Sequence, residues 1–209
     1  MPHSDTQRRL IDLLKLLGMA ALYALLVHLT NLYFKSVIPI RILEPASGLA
    51  LATLLIGGKR YAWSVLSGGV LVNLTSNLAL WVVFAIALSN TLEALLGVWL
   101  LKRDSRFDSH LRSLRDYLRL IFLGGIGSGF GALIGASALL VSGVLVPETF
   151  WLGFRQWWMG DVLGIILIAP LFLVWRLEKS DWLEMKRVHV AVLLLGLTFL
   201  VGQDVCKLR

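Results

Sequence analysis

The sequence predicts an all-α protein, a polytopic transmembrane bundle of about seven helices with its N-terminus cytoplasmic. Three observations lead there. Of the 209 residues, 57% are hydrophobic and only 16% charged, and the mean hydropathy is +0.78. A water-soluble domain of this length needs a far more polar surface. The apolar residues fall in blocks of about 20, separated by short basic clusters, without the period-2 alternation of a membrane barrel. Finally, Lys and Arg gather on alternate connections. Arg8, Arg9, Lys59, Arg60, the run from Lys102 to Arg119, and Arg176 to Arg187 fall on one side. Lys35, Arg41, Arg155, Lys207 and Arg209 fall on the other, which makes the first side cytoplasmic.

Residues 1–9 read as a cytoplasmic tail and 10–206 as one membrane domain. Arg8 and Arg9 before an apolar run resemble the opening of a signal peptide, but the run is long and no small-residue cleavage site follows. The first helix is expected over Leu10 to Phe34. SVIPIRILEP follows, and Pro39 and Pro45 disfavour helix at the residue before each, so the chain reorients there. A second helix, Glu44 to Gly57, is short for a full span. Either it is tilted, or the chain before it passes into the membrane in non-helical form, which only burial in protein tolerates. After Gly57-Gly58-Lys59-Arg60 a third helix covers Tyr61 to Leu78, and a very short turn makes the fourth, Trp81 to Leu101, its antiparallel neighbour. In KRDSRFDSHLRSLRDY, Leu111, Leu114 and Leu118 recur at helical spacing, predicting a short interfacial amphipathic helix. The fifth helix runs Leu118 to Val141, the sixth Trp151 to Trp175 and the seventh Val188 to Val205. An odd number of spans puts the C-terminus outside.

The net charge of +7 resides at helix ends, where it meets anionic head groups. The lipid bilayer is therefore the expected partner, and nucleic acid is not. Cys206 is the single cysteine, so no intrachain disulfide forms. His3, His28, His110 and His189 are scattered without partners at metal-ligand spacing, and no metal is expected. No nucleophile elbow or phosphate-binding loop occurs, so neither catalytic residues nor a cofactor are expected.

The chemistry lies in polar residues inside apolar blocks. The sixth helix spans roughly 37 Å, and Asp161 falls about 15 Å from its outer end, near the middle of a bilayer. A carboxylate there must be paired, protonated or hydrated. Arg155, six residues earlier, points to a different side of the helix, whereas Trp157 and Trp158 share a face with Asp161. On the fourth helix Asn90 and Glu93 share a face, with Glu93 about 18 Å below Trp81. Asn73 and Asn77 are one turn apart on the third, and Arg41 and Glu44 stand at the outer end of the second. The expectation is that Arg41, Glu44, Asn73, Asn77, Arg155 and Asp161 form one outward-facing polar cluster, with cross-pairing of the charges offsetting their desolvation. Its bland counterpart is a satisfied network that only sets helix register. Asn90, Glu93, Trp157 and Trp158 complete the candidate ligand-binding residues. Gly127, Gly131 and Gly135 recur every four residues on the fifth helix. Gly127, Gly129 and Ala132 also match a dinucleotide-binding turn, but inside a span the ladder reads as close helix packing, within one bundle or between protomers of a homo-oligomer.

PASGLALATLLIGGKRYAW, LSNTLEALLGVWLLKR and RQWWMGDVLGIILIAPLFLVW resemble the membrane-associated sensor domain, the MASE family of the first type. The matching positions are Pro45, Gly48, Asn73, Asn90, Glu93, Trp158, Gly160, Asp161 and Pro170. The resemblance implies a bacterial inner-membrane sensory module of about eight helices. It also implies a cytoplasmic GGDEF, EAL or histidine-kinase output, fused or acting in trans. No output follows before Arg209, so a sensor fragment or a standalone form acting through a partner is expected. The leading function is a non-enzymatic sensory input that binds an unknown small ligand or responds to an envelope signal. The alternatives are the substrate-binding membrane component of a vitamin-type transporter and a structural scaffold.

Overall fold

The computed structural model describes residues 5–33 and 43–175. Within them the chain is helical, without strands, in six α-helices: α1 (Asp5–Tyr33), α2 (Pro45–Gly57), α3 (Ala62–Asn73), α4 (Leu80–Arg103), α5 (Leu114–Val141) and α6 (Phe150–Trp175). Four helical stretches, Arg9–Tyr33, Leu80–Arg103, Leu114–Val141 and Pro147–Val174, are long and apolar enough to cross a membrane. Arg41, the expected seventh helix and Cys206 lie outside the described residues.

The elements follow from local chemistry. Ser113 caps α5 by accepting from the Asp116 amide, while its hydroxyl donates back to the Asp116 carboxylate at 2.6 Å. This cap starts α5 at Leu114, so Leu114 and Leu118 belong to the span. The expected amphipathic helix is instead an irregular loop, because side-chain bonds outcompete helix there. Asp108 accepts from the His110 amide at 2.9 Å and contacts the His110 ring at 2.8 Å, which holds its carboxyl below the usual range. Leu111 adopts a left-handed conformation, φ 52°. Arg119 reaches back to Asp104 at 3.1 Å and to the Arg106 carbonyl at 2.8 Å, tying the loop to the helix. At its other boundary, α1 begins at Asp5, so part of the expected tail is helical.

This loop and the α2–α3 connection share one end of the bundle. Arg60 bridges Asp12 at the start of α1 at 3.0 Å, and Leu55, Leu101 and Lys102 line one cavity. Lys59, Arg60, Lys102, Arg103, Arg106, Arg112, Arg115 and Arg119 all fall at this basic end. Among the described residues, Arg155 is the one Lys or Arg near the opposite end. Trp63, Trp81, Trp99 and Trp151 are exposed near helix ends, as an interfacial belt requires. Large apolar side chains such as Leu13, Phe84, Phe122 and Phe130 face outward in between. Only 17% of the α1 span is buried; it docks by Ala20, Tyr23 and Val27 onto the flank of the bundle.

Helix α2 does not span. Its residues rise about 20 Å, well short of a hydrocarbon core of about 30 Å. The chain arrives at its N-terminus as non-helical backbone already buried: the Glu44 amide donates to the Gly160 carbonyl of α6 at 3.0 Å. A Cβ on Gly48 would collide with the Gly164 carbonyl, and one on Gly164 with the Glu44 carbonyl. Only glycines allow this crossing, which starts α2 beside the middle of α6. Of the segment expected to approach this short helix, Leu43 and Glu44 are described and are non-helical, with Glu44 buried; residues 34–42 lie outside the described residues.

Glycines also set the contact of α5 with α4. A Cβ on Gly127 would lie 2.8 Å from the Glu93 carbonyl, and one on Gly131 would lie 2.7 Å from the Glu93 Cβ. Gly135 accommodates the Trp157 ring of α6. The ladder thus packs against helices of its own chain. In α6, Pro170 deprives the Ile166 carbonyl of its helical partner, and the Tyr117 hydroxyl of α5 donates to that carbonyl at 2.8 Å.

The glycine contacts make two predictions for the purified protein in lipid. Gly127→Val must part α4 from α5 and lowers unfolding free energy by about 1–3 kcal/mol. Gly18→Ala, exposed with no atom near the added methyl, is neutral or gains up to about 1 kcal/mol. Comparative thermal melts check both. Tyr117→Phe leaves the Ile166 carbonyl without its donor and costs about 1–3 kcal/mol, read as faster hydrogen exchange in the last turns of α6.

Candidate functional site

Five helices converge at one depth. Tyr23 lies about 15 Å from the end of α1, Asp161 about 16 Å into α6, and Glu93 about 20 Å into α4. Ser128 sits near the middle of α5, and α2 begins there with Glu44 as its N-cap. Glu44, Ser47, Asn90, Glu93, Ser128 and Asp161 are all buried, with Ser128 and Asp161 at 0% exposure. Tyr23 is 1% exposed.

The bonds between them are specific. Ser47 on the first turn of α2 donates to Asp161 Oδ1 at 2.6 Å. Ser128 donates to Glu93 Oε1 at 2.7 Å. Asn90 Nδ2 donates to the Tyr23 hydroxyl at 3.2 Å. Glu93 and Asp161 lie within hydrogen-bonding reach of one another. Glu44 is close enough to act electrostatically on both, and all three carboxyls act on Tyr23. The N-terminus of α2, the positive end of its dipole, points into this group and favours negative charge there. No Lys, Arg or His joins the cluster among the described residues. For Asp161 and Glu93 the serine hydroxyls stand where cationic partners would. The arrangement can hold a proton or respond to a change of charge. Among the described residues no group of three or more His, Cys, Asp or Glu is placed to hold a metal ion.

The expected outward cluster is differently composed. Glu44 and Asp161 come together, joined by Asn90 and Glu93 from α4. Asn73 is buried at the end of α3, where its amide donates to the Gly69 carbonyl at 2.8 Å, so its bond is local. Asn77 is exposed in the α3–α4 turn, and Arg155 is exposed on α6. Six residues from Asp161, Arg155 lies too close to the membrane end and on the wrong side of the helix to pair with it. Trp157 packs on Gly135 and on the cluster of Val82, Ile86, Leu139 and Leu145. Trp158 donates from Nε1 to the Gly125 carbonyl at 2.8 Å. Both tryptophans therefore stitch α6 to α5. The carboxyls are buried among the described helices.

Sequence reasoning missed Tyr23, Ser47 and Ser128. Hydroxyls inside apolar segments carry a weak signal, since a helix satisfies them with its own carbonyls. What marks these three is depth, because each falls at the level of Asp161 and Glu93. Replacing Ser128 or Ser47 by alanine removes one donor from a buried carboxyl. Each change lowers stability by about 1 kcal/mol, and urea titration of the reconstituted protein measures it.

Comparison with curated proteins and with solved structures returns no match. The MASE1 family model matches residues 13–202, nearly the whole chain and every helix of the central cluster. The chain thus belongs to the MASE1 family of membrane-associated sensor domains, the membrane sensory domains of signalling proteins.

Proposed function

We propose that this chain is the input module of a bacterial signalling protein in the cytoplasmic membrane, and that the buried cluster around Glu93 and Asp161 is where it reads its signal. One observation carries the reading: the Glu93 and Asp161 carboxyls of α4 and α6 are buried at mid-depth beside Glu44, and among the described residues neither meets a Lys, Arg or His. Groups so costly to bury mark function in membrane proteins more often than scaffolding. Glu93 and Asp161 are each held by one serine hydroxyl, so a small change of charge or of helix position alters which packing is favoured.

The basic end faces the cytoplasm in this reading, by the charge asymmetry of the connections. Helices α2 and α4 run from the cluster to that end, where the α4–α5 loop is held by Arg119. A change in their packing reaches the cytoplasmic surface along rigid elements, and from there a GGDEF, EAL or histidine-kinase output, fused or in trans. A small ligand or an envelope signal acts by biasing this packing.

The test joins the chain in frame to a diguanylate cyclase or histidine-kinase reporter and measures output in membranes. Asp161→Asn and Glu93→Gln each change basal output by about 5-fold or more, the scale of ordinary coupling energies. If both variants insert normally and output equals that of the parent, the cluster is not the signal-reading centre.

A further inference from the structure

The cluster contains a contact that ionised carboxylates do not make. Glu93 Oε1 accepts from Ser128, and Asp161 Oδ1 accepts from Ser47. The second oxygens, Glu93 Oε2 and Asp161 Oδ2, are buried and receive no hydrogen from any hydroxyl or amide. Yet the two carboxyls stand within hydrogen-bonding reach of one another. Two carboxylates have four acceptor oxygens and no donor, so their contact needs a hydrogen that no neighbouring side chain provides.

We propose that a single proton is bound between Glu93 and Asp161, and that it is the ligand this bundle reads, an inference resting on the cluster being the signal-reading centre. With the proton held, α4 and α6 are tied together across the top of α2. When it leaves to water, two carboxylates face each other beside Glu44, and the glycine-lined contacts of α4 and α6 open. The surrounding groups suit this. Among the described residues α1 contributes Tyr23, α2 contributes Glu44, and α3 and α5 contribute no titratable group at this level. Among the described residues no Lys, Arg or His acts on Glu93 or Asp161. Ser47 and Ser128 each hold one oxygen of the pair, which aims the others at each other. Asn90, with its Oδ1 also buried and without a donor, flanks Glu93 one turn away.

Infrared spectra of the full chain in lipid nanodiscs across a pH series test the proposal. Among the other described acids, Asp12, Asp104, Asp108 and Asp116 face arginine, histidine or serine, Glu148 is exposed, and Glu44 is buried beside the pair, so the response of the band to the two serine variants assigns it. A protonated-carboxyl carbonyl band persisting at neutral pH in the wild type is expected. It should vanish as pH rises, and shift in frequency in both Ser47→Ala and Ser128→Ala, which alter the pair without removing it. Absence of the band at neutral pH overturns the proposal, as does a band that neither serine variant moves. Exchanging sodium for N-methylglucamine at constant ionic strength should leave the band unchanged; loss of the band on adding sodium at fixed pH assigns the site to a metal cation instead. The reporter fusion separates the two claims. An output that follows the band's titration supports the proton as signal. A titrating band with pH-independent output leaves the bound proton standing and overturns its role as the signal.

Discussion

The close crossing of α2 over α6 is the constraint on which the middle of the bundle depends. Gly48 and Gly164 let backbone meet backbone, and the Glu44 amide is satisfied by the Gly160 carbonyl. In hydrocarbon a non-helical backbone group without a partner costs several kcal/mol. The crossing removes that cost and so permits a helix to begin at mid-depth. Beginning there, α2 turns the positive end of its dipole toward Asp161 and brings Ser47 into hydrogen-bonding range. A helix spanning the whole membrane would carry its N-terminus to the surface, and the centre would lack both contributions.

The glycines of α5 make the complementary contribution. Gly127 and Gly131 let α5 approach the backbone of α4 at Glu93, which places Ser128 on its carboxyl. Small residues drive packing where the surrounding lipid is as apolar as the side chains and hydrophobic burial gives no preference. Packing and polar chemistry are therefore not separate layers in this protein. The residues that permit close approach also determine which polar groups meet. The half away from the basic end is secured differently, by Trp157 in the space left by Gly135 and by Trp158 bonded to Gly125. Near the basic end Tyr117 repairs the break made by Pro170.

A buried network of this kind has two physical consequences. It specifies register, because each donor fits one acceptor at one depth, and it is sensitive to charge, because among the described residues Glu93 and Asp161 meet hydroxyls and no cation. A bundle of purely apolar contacts could slide with little penalty. One with three carboxyls and few donors has sharply different energies for different packings, which is the property a sensory domain requires.

Much of this was legible in the sequence for reasons that are local. Block length and hydropathy determined the helical membrane class, and the alternation of basic connections determined a basic end, since both depend only on composition along the chain. Asp161, Glu93 and Asn90 stand out because polar groups are rare inside spans, whereas Glu44, read from the sequence as the outer end of the second helix, lies at the depth of Asp161. What joined them was tertiary. Depth alone does not tell which face of one helix meets which face of another, so Arg155 and Asn77 were grouped with a cluster they do not reach. The loop from Asp104 to Ser113 carried helical leucine spacing, and side-chain bonds to Asp108 and Asp116 overrode it. Tyr23, Ser47 and Ser128 became members of the site only when the glycine contacts fixed the helices against one another. The sequence by itself determined the solvent this protein lives in and the cost of its buried acids; the tertiary structure decided their partners, because those are chosen by where backbones can touch.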